Sequence, residues 1–384
     1  MRLTVLVCGM ISAVPYQGGA TWAVLQYLLG FKRLGHDVYF VDPVARTALQ
    51  PDGVSLADSH NARYFRAVMT EFGFEDSSAL LVDSSRESVG LSYDRLAHIA
   101  SRTDVLVNIS GLLIDETLLE RIPIRLYLDL DPAFTQLWHF ALGIDLRLAG
   151  HTHFATVGLG IGQSDCTVPT GGLQWLRTLP PVVLEYWSVA DNITLDALTT
   201  VANWRGYGAI DHDGTHYGQK AHSLRKLIDL PERVTDRFVL ALAIHPHEAA
   251  DLDRLTSHRW ELVDPAAVAG SPAAYRAFVR GSRAEIGVAK SGYVISRCGW
   301  FSDRSACYLA SGRPVIAQDT GFSNCLPTGA GLLRFDTTDE AQAAIEDLHR
   351  SYVHHARAAR GLAEDWLDSD KVLATLLEHL AAAP

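Results

Sequence analysis

The sequence predicts an α/β protein made of two doubly wound Rossmann-like domains that face each other across a cleft. Its 384 residues correspond to two or three domains of ordinary size. Short apolar runs alternate with longer amphipathic stretches, and this alternation fades and restarts about halfway along the chain. Strands that alternate with helices form parallel sheets covered on both faces.

The first half of the chain predicts the first sheet. A buried strand comes first, and a glycine turn leads into a helix over 20–34. The predicted strands of this half cover 3–8, 37–42, 79–82, 104–109, 124–130 and 182–187. These elements define a predicted N-terminal domain over residues 1–190.

The second half of the chain predicts a second sheet and a helical end. Its predicted helices cover 216–228, 247–258, 272–282 and 303–311, and its predicted strands cover 237–245, 261–263, 285–289 and 314–318. Three further helices follow, over 338–349, 351–363 and 370–382. We expect a C-terminal domain over residues 191–365 and a last helix, in 366–384, that packs back on the first domain.

Composition restricts the partners and the compartment. The chain has 33 Lys and Arg against 44 Asp and Glu, a net charge of -11, which opposes the neutralisation of phosphates that nucleic-acid binding requires. We therefore expect no nucleic-acid partner. The five cysteines contain no C-x-x-C pair, which predicts neither disulfides nor a zinc site and favours the cytoplasm. No apolar stretch reaches the roughly 18 residues of a membrane span, so no integral membrane segment is expected.

The segment before helix 303–311 is a candidate phosphate site. Ser302 is a plausible N-cap, and Asp303, Arg304 and Ser305 occupy the first turn of the helix. Free amides at a helix N-terminus favour an anion, and an arginine there can add a bidentate contact. The alternative is that Ser302 and Asp303 only cap a surface helix.

Polar residues also follow the next strand. Asp319, Thr320 and Gly321 come directly after strand 314–318, where they could bind sugar hydroxyls and approach a phosphate. Asp and Gly are equally typical of ordinary turns.

Two earlier loops offer further candidates. Gly18 and Gly19 form a turn that lets a ligand approach backbone amides. Lys220 lies on a first helical turn, where an anionic ligand would offset its unfavourable interaction with the helix dipole; otherwise it extends into water. The spacing of the glycines excludes the G-x-G-x-x-G dinucleotide motif, and no P-loop is present.

Histidine pairs and strand-end aspartates are the candidates for other chemistry. The pairs at 151 and 153 and at 245 and 247 lack an evident third ligand, so no metal site is predicted. Asp129 and Asp131 end a strand, where they could face a cleft or belong to an aspartate-proline turn. Asp129 and His153 are the preferred candidates for a general base, because Pro132 ties Asp131 to the turn.

Two segments together resemble the GT-B glycosyltransferases. Gly18-Gly19-Ala-Thr-Trp22, with a helix that ends Leu34-Gly35-His36-Asp37-Val38, is similar to their amino-terminal GG...L..LGHxV pattern. Tyr308-Leu-Ala-Ser-Gly-Arg-Pro-Val315 resembles their carboxy-terminal EAxAxGxPV segment, and the layout covers nearly the whole chain.

The subgroup motifs of that family are missing. Cys307 and Gly299 occupy the positions at which retaining members carry two glutamates. The loop over 299–304 also lacks the His-Gly-Gly-x-Gly-Thr sequence of inverting members. The sequence therefore does not choose between inversion and retention.

The resemblance implies a nucleotide-diphosphate sugar held by the second domain and an acceptor held by the first. The diphosphate would lie at the start of helix 303–311 with Arg304, Ser305 and Lys220 nearby, while Glu285 and Lys290 are weaker candidates. Cations and dipoles would stabilise the leaving diphosphate, so neither a metal nor another cofactor is expected.

The acceptor and the type of reaction are less determined. The first 190 residues carry 13 Lys and Arg against 19 Asp and Glu, which favours a small polar or cationic acceptor, for example an aminocyclitol natural product. A nucleotide-sugar 2-epimerase and a catalytically silent sugar-binding protein have the same fold and remain alternatives. Nothing in the sequence indicates the oligomeric state.

Overall fold

Two parallel sheets organise the molecule. The computed structural model describes residues 2–382. Its strands are β1 (Thr4–Cys8), β2 (Asp37–Val44), β3 (Ser78–Val82), β4 (Ser88–Gly90), β5 (Val105–Ile109), β6 (Ile124–Asp129), β7 (His153–Thr156), β8 (Trp175–Arg177), β9 (Leu195–Asn203), β10 (Ile210–His212), β11 (Thr215–Tyr217), β12 (Phe238–Ala243), β13 (Trp260–Val263), β14 (Ser282–Gly287), β15 (Val315–Gln318) and β16 (Leu332–Phe335).

Helices connect and cover these strands. They are α1 (Gly18–Arg33), α2 (His60–Glu71), α3 (Tyr93–Ala100), α4 (Glu116–Leu119), α5 (Phe134–Gln136), α6 (Lys220–Leu224), α7 (Leu230–Arg233), α8 (Ala249–Ser257), α9 (Pro265–Ala269), α10 (Pro272–Gly281), α11 (Ser291–Ser296), α12 (Asp303–Ala310), α13 (Thr338–Arg350), α14 (Tyr352–Leu362) and α15 (Ser369–Ala382).

Both sheets have the same central strand order. The first, eight-stranded sheet runs β4-β3-β2-β1-β5-β6-β7-β8 and is parallel except for the pair of β3 with β4. The second, six-stranded sheet runs β13-β12-β9-β14-β15-β16 with parallel pairing throughout. In each sheet the chain starts at a central strand, builds outward to one side and then crosses to the other. Ligands bind at the carboxyl ends of the strands beside such a switch point.

The first sheet is covered on both faces, as a parallel sheet requires. Successive side chains of a strand point to opposite faces. Val5 and Val7 of β1 belong to one buried cluster, whereas Leu6 and Cys8 belong to another. These two clusters explain why β1 is a continuous apolar run, and the predicted doubly wound fold class is confirmed.

The C-terminal helix returns to the first sheet. Helix α15 packs against α1 so closely that a Cβ added at Gly30 would lie 2.5 Å from the side chain of Leu373. Arg33 donates to Asp370 at 3.0 Å, and the amide of Val182 donates to the carbonyl of Leu367 at 2.7 Å. The last helix therefore fastens the two halves of the chain together.

Two predicted elements are replaced by other structure, and seven strands, among them the central β9, lie where no strand was predicted. Residues 182–187 form turns instead of a strand, because Pro180 and Pro181 precede them and only Val182 pairs, with Asp368. The central strand β9 lies where no strand was expected. Its threonines and terminal polar residues interrupt the apolar run that would predict a buried strand. Helix 216–228 is replaced by the β10-β11 hairpin and the shorter α6. The division near residue 190 stays a prediction, and it falls between β8 and β9.

Candidate functional site

A cavity of about 780 Å³ lies between the two sheets, at the carboxyl ends of their strands. Residues after β1 and β6 line it from the first sheet, and residues after β9, β12 and β14 line it from the second. Its lining residues include Gly18, Gly19, Asp131, Tyr207, Lys220, Lys290, Tyr293, Trp300, Asp303 and Arg304. Both switch points therefore open onto one cleft.

Gly18 and Gly19 line this cavity and also let the two halves meet. A Cβ at Gly18 would lie 2.2 Å from the carbonyl oxygen of Ser271, and a Cβ at Gly19 would lie 2.9 Å from the ring of Tyr275. Any side chain at Gly18 would push α1 away from α10. The N-terminus of α1 consequently reaches the cavity, and its first turn carries no acidic residue.

Three cationic side chains from the second half converge on the cavity. They are Lys220 at the start of α6, Lys290 immediately before α11, and Arg304 in the first turn of α12. Asp131 and Asp303 are the acidic residues that line the same cavity within the described part of the chain. Three cationic side chains therefore line the cavity beside two acidic ones, whereas acidic residues outnumber basic ones in the chain as a whole.

Arg304 is held inside the protein by a buried carboxylate. Its guanidinium pairs with Glu285 of β14, whose side chain is 0% exposed, and it donates to the carbonyl of Val201 at 3.0 Å. Glu285 lies behind the cavity wall and acts on the cavity through Arg304. The second carboxylate oxygen of Glu285 is buried without a hydrogen-bond partner. This pair fixes the position of a positive charge at the start of α12.

Lys220 is almost completely buried where it meets the cavity. Its ammonium donates to the carbonyl of Val288, the residue directly after β14. Burial lowers the pKa of Lys220 well below its usual value, and the neighbouring charge of Arg304 lowers it further. An anion in the cavity would reverse this effect by stabilising the charged form.

Lys290 and Asp131 meet in the wall of the cavity. The Lys290 ammonium lies 3.0 Å from each oxygen of the Asp131 carboxylate. The hydroxyl of Tyr207 donates to Asp131 at 2.5 Å, and the hydroxyl of Tyr293 donates to the other oxygen. Sequence reasoning gave no signal for either tyrosine and ranked Asp131 below Asp129, because Asp131-Pro132 resembles an ordinary turn.

Asp129 and His153 are not brought together with the cavity. The buried carboxylate of Asp129 accepts hydrogen bonds from Thr135, Gln136 and Thr156, so it supports the loop that carries Asp131. Burial raises the pKa of Asp129. His153 is the first residue of β7 and so lies at the amino end of this strand, whereas the cavity lies at the carboxyl ends of the strands.

The start of α12 has the predicted cap. The Ser302 hydroxyl accepts from the amide of Arg304 at 3.2 Å, and Ser302 and Ser305 are both buried beside a void too small for a substrate. Asp303 lines the main cavity, and burial raises the pKa of its carboxyl. Of the four predicted residues, Asp303 and Arg304 therefore face the cleft.

Asp319, Thr320 and Gly321 support the cavity wall from behind. Asp319 accepts from the amide of Gly321 at 2.9 Å, which is the predicted turn. The Thr320 hydroxyl donates to the carbonyl of Trp300 at 2.6 Å, and Trp300 lines the cavity. Gly321 has φ of +98°, a conformation that favours glycine.

Solved structures of the same architecture cover essentially the whole chain. An alpha-glucosyltransferase in complex with UDP and a 13-mer DNA with a central A:G mismatch has a TM-score of 0.63 at 12% identity, covering 99% of this chain and 100% of that chain. The chain has the GT-B fold. HepE from Anabaena, in complex with UDP and glucose, has a TM-score of 0.61 at 12% identity, with 100% of both chains covered.

A further solved structure has the same fold. A glycosyltransferase from Rickettsia africae ESF-5 has a TM-score of 0.51 at 10% identity, covering 99% of this chain and 98% of that chain. No protein-family model and no curated protein matches the sequence. The GT-B resemblance found in the two short segments is thus confirmed as a likeness of fold.

The expectation that excluded nucleic acid as a partner is wrong. Structures with the same GT-B fold hold DNA together with UDP or UDP-glucose. The net charge of -11 sums the whole chain, whereas a ligand in the cleft meets the local charges of Lys220, Lys290 and Arg304. The small polar or cationic acceptor rested on the same charge argument and loses that support.

No helix within residues 2–382 is both long and apolar enough to cross a membrane. No cluster of three or more His, Cys, Asp or Glu side chains in this range is arranged to hold a metal ion.

Proposed function

We propose that this protein transfers a sugar from a nucleoside-diphosphate sugar to an acceptor. The observation that carries this proposal is the convergence of Lys220, Lys290 and Arg304 on one cavity between two GT-B sheets. A diphosphate leaving group needs stabilisation of developing negative charge, and preorganised cations and helix N-termini provide it. The UDP and UDP-glucose named for structures of this fold support the same donor class.

The donor lies mainly against the second sheet in this proposal. Its diphosphate meets Lys220 and Lys290 beside the start of α12, where Arg304 adds a fixed positive charge. Its nucleoside occupies the apolar part of the cavity, formed by Ala243, Pro265, Ala266, Ala269 and Tyr275. Cations of the chain thus take the role of neutralising the leaving group, and activity is expected to survive chelation of divalent metals.

The acceptor approaches from the side of the first sheet. Gly18, Gly19 and Asp131 form the first-sheet wall of the cavity, opposite the cations. The small-molecule acceptor expected from the sequence stays a prediction. Because structures of this fold hold DNA, an acceptor screen includes duplex DNA beside small alcohols and amines.

Calorimetric titration with UDP, TDP, GDP and CDP tests the donor class. We expect at least one of these nucleotides to bind and stabilise the protein at millimolar concentration, and the matching nucleotide sugar to release its nucleoside diphosphate. Absence of binding by all four nucleotides would overturn the proposal.

Incubation with the nucleotide sugar alone separates the alternatives. A transferase releases nucleoside diphosphate, slowly with water and faster with an acceptor. An isomerised sugar would instead establish a 2-epimerase, and binding without any turnover in the acceptor screen would establish a binding protein.

A further inference from the structure

A single carboxylate of the first sheet is fully occupied by partners from the second. Asp131 receives the ammonium of Lys290 and the hydroxyls of Tyr207 and Tyr293, and all four side chains line the cavity. Asp131 follows β6, Tyr207 follows β9, and Lys290 follows β14. The cluster therefore connects the acceptor wall of the cleft to the donor wall.

Three aromatic rings also surround the Lys290 ammonium. It lies 5.1, 4.3 and 4.9 Å from the ring centroids of Phe134, Tyr207 and Tyr293, which hold a cation through their π faces. Burial lowers the pKa of Lys290, and Asp131 opposes that shift. A diphosphate in the same cavity carries more negative charge than one carboxylate and competes with Asp131 for this cation.

We infer that Asp131 orients the reacting hydroxyl of the acceptor and that its ion pair with Lys290 masks it until a donor binds. When the diphosphate takes over Lys290, Asp131 loses one of its partners and gains capacity to accept a hydrogen bond from the acceptor. Tyr207 and Tyr293 keep the carboxylate in place. This inference rests on the proposed function, because the exchange requires a diphosphate donor in the cavity.

Binding of UDP to the intact protein and to Asp131→Asn, Lys290→Met and the double variant tests the exchange. Removing the competing carboxylate should tighten UDP binding by about three- to tenfold. Removing the cation should weaken UDP binding by about tenfold or more. In the Lys290→Met background, Asp131→Asn should change UDP affinity by less than about twofold, because Asp131 acts on the nucleotide through Lys290.

Each contrary outcome has a definite meaning. If Asp131→Asn tightened UDP binding equally in the wild-type and the Lys290→Met proteins, that result would show direct repulsion between Asp131 and UDP and would overturn the exchange. Weaker UDP binding by Asp131→Asn would show a merely structural role and would overturn it too. Absence of UDP binding by the wild-type protein, with every other nucleotide also inactive, would instead remove the proposed function itself.

Hydrolysis of UDP-glucose tests the orienting role with water as the acceptor. Asp131→Asn should lower kcat by about 100-fold, since a misplaced nucleophile reacts slowly, while KM does not rise. Asp165→Asn is the matched control, because Asp165 pairs with Arg297 at 3.5 Å and does not line the cavity. Unchanged kcat in Asp131→Asn would overturn the orienting role.

Discussion

Lys290 and Asp131 lie 159 positions apart in the chain, yet the Lys290 ammonium is 3.0 Å from both oxygens of the Asp131 carboxylate. One residue follows a strand of the first sheet and the other follows a strand of the second. Their contact crosses a cavity that also receives Lys220 and Arg304. The proposed donor chemistry depends on the convergence of these three cationic side chains.

Nucleotide binding should take up protons at alkaline pH. Burial and the charge of Arg304 lower the pKa of Lys220 well below its usual value, so this side chain loses its proton at a lower pH than an exposed lysine does. A diphosphate stabilises the charged form, which raises the pKa and draws a proton from solution. Calorimetry of UDP binding in buffers with different ionisation enthalpies measures this uptake.

Lys220→Met should reduce the proton uptake, whereas Lys371→Met should leave it unchanged. Lys371 is an exposed lysine far along the chain, in α15, and it does not line the cavity. A wild-type binding enthalpy that does not depend on the buffer between pH 7 and pH 9 would contradict the prediction.

Arg304→Ala should destabilise the protein as well as reduce its activity. The substitution leaves the completely buried Glu285 without its partner, which costs about 3–5 kcal/mol of unfolding free energy. Glu285→Gln combined with Arg304→Met removes both charges and should recover much of that stability. Urea unfolding of the single and double variants measures the difference, and equal destabilisation by both would contradict the structural role of the pair.

Gly18→Ala should destabilise the protein by forcing helix α1 away from helix α10. The new Cβ would lie 2.2 Å from the backbone oxygen of Ser271, and overpacking of this kind costs about 1–3 kcal/mol. Nucleotide affinity should fall with stability, because α1 and α10 both border the cavity. Gly361→Ala is the matched control, since nothing lies within 4 Å of its new Cβ in helix α14 and alanine favours a helix there.

Thermal unfolding measures the stability of these two glycine variants, and titration with UDP measures their nucleotide affinity. The melting temperature of Gly361→Ala should stay level or rise. If Gly18→Ala retained both wild-type stability and wild-type affinity, the close approach of α1 to α10 would be irrelevant to the site.

Asp42 should make the stability of the first sheet depend on pH. Burial raises the pKa of this carboxyl from 3.8 to about 7, although Ser12 donates to it from its hydroxyl and its amide. As pH rises from about 4 to about 7, the unfolded chain loses this proton and the folded chain keeps it. The contribution of Asp42 is therefore fully present below pH 4 and is lost above pH 7.

Asp42→Asn should remove the decrease in unfolding free energy that Asp42 causes as pH rises. Compared with the wild type, the variant should gain unfolding free energy between pH 5 and pH 8, measured by urea unfolding, whereas the exposed Asp58→Asn should not. A parallel pH dependence in Asp42→Asn and wild type would contradict the assignment.

The sequence predicts most of the fold because its apolar runs indicate which segments are buried. Strand β1 and helices α1 and α12 lie within two residues of their predicted bounds. Strand β9 escaped prediction because Thr199 and Thr200 are buried polar residues, and Thr199 is satisfied by the hydroxyls of Ser282 and Tyr308. These hydrogen bonds come from residues that are distant from Thr199 in the sequence.

The candidate site was predictable only in part, for the same reason. Lys220, Arg304 and the two glycines could be identified from local signals at helix starts. Tyr207 and Tyr293 become functional candidates only when folding brings them to Asp131, and Asp129 proves to be an internal support because Thr135, Gln136 and Thr156 surround it. Sequence spacing cannot show which of two neighbouring aspartates faces a cleft.

A crystal structure of the protein with UDP-glucose would locate the donor. We expect the diphosphate in the cavity between the sheets, within hydrogen-bond distance of Lys220 and Lys290 and beside the start of α12. The glucose would then lie toward Asp131. A nucleotide bound outside this cavity, or bound inside it with the diphosphate directed away from both lysines, would show that these cations do not stabilise the leaving group.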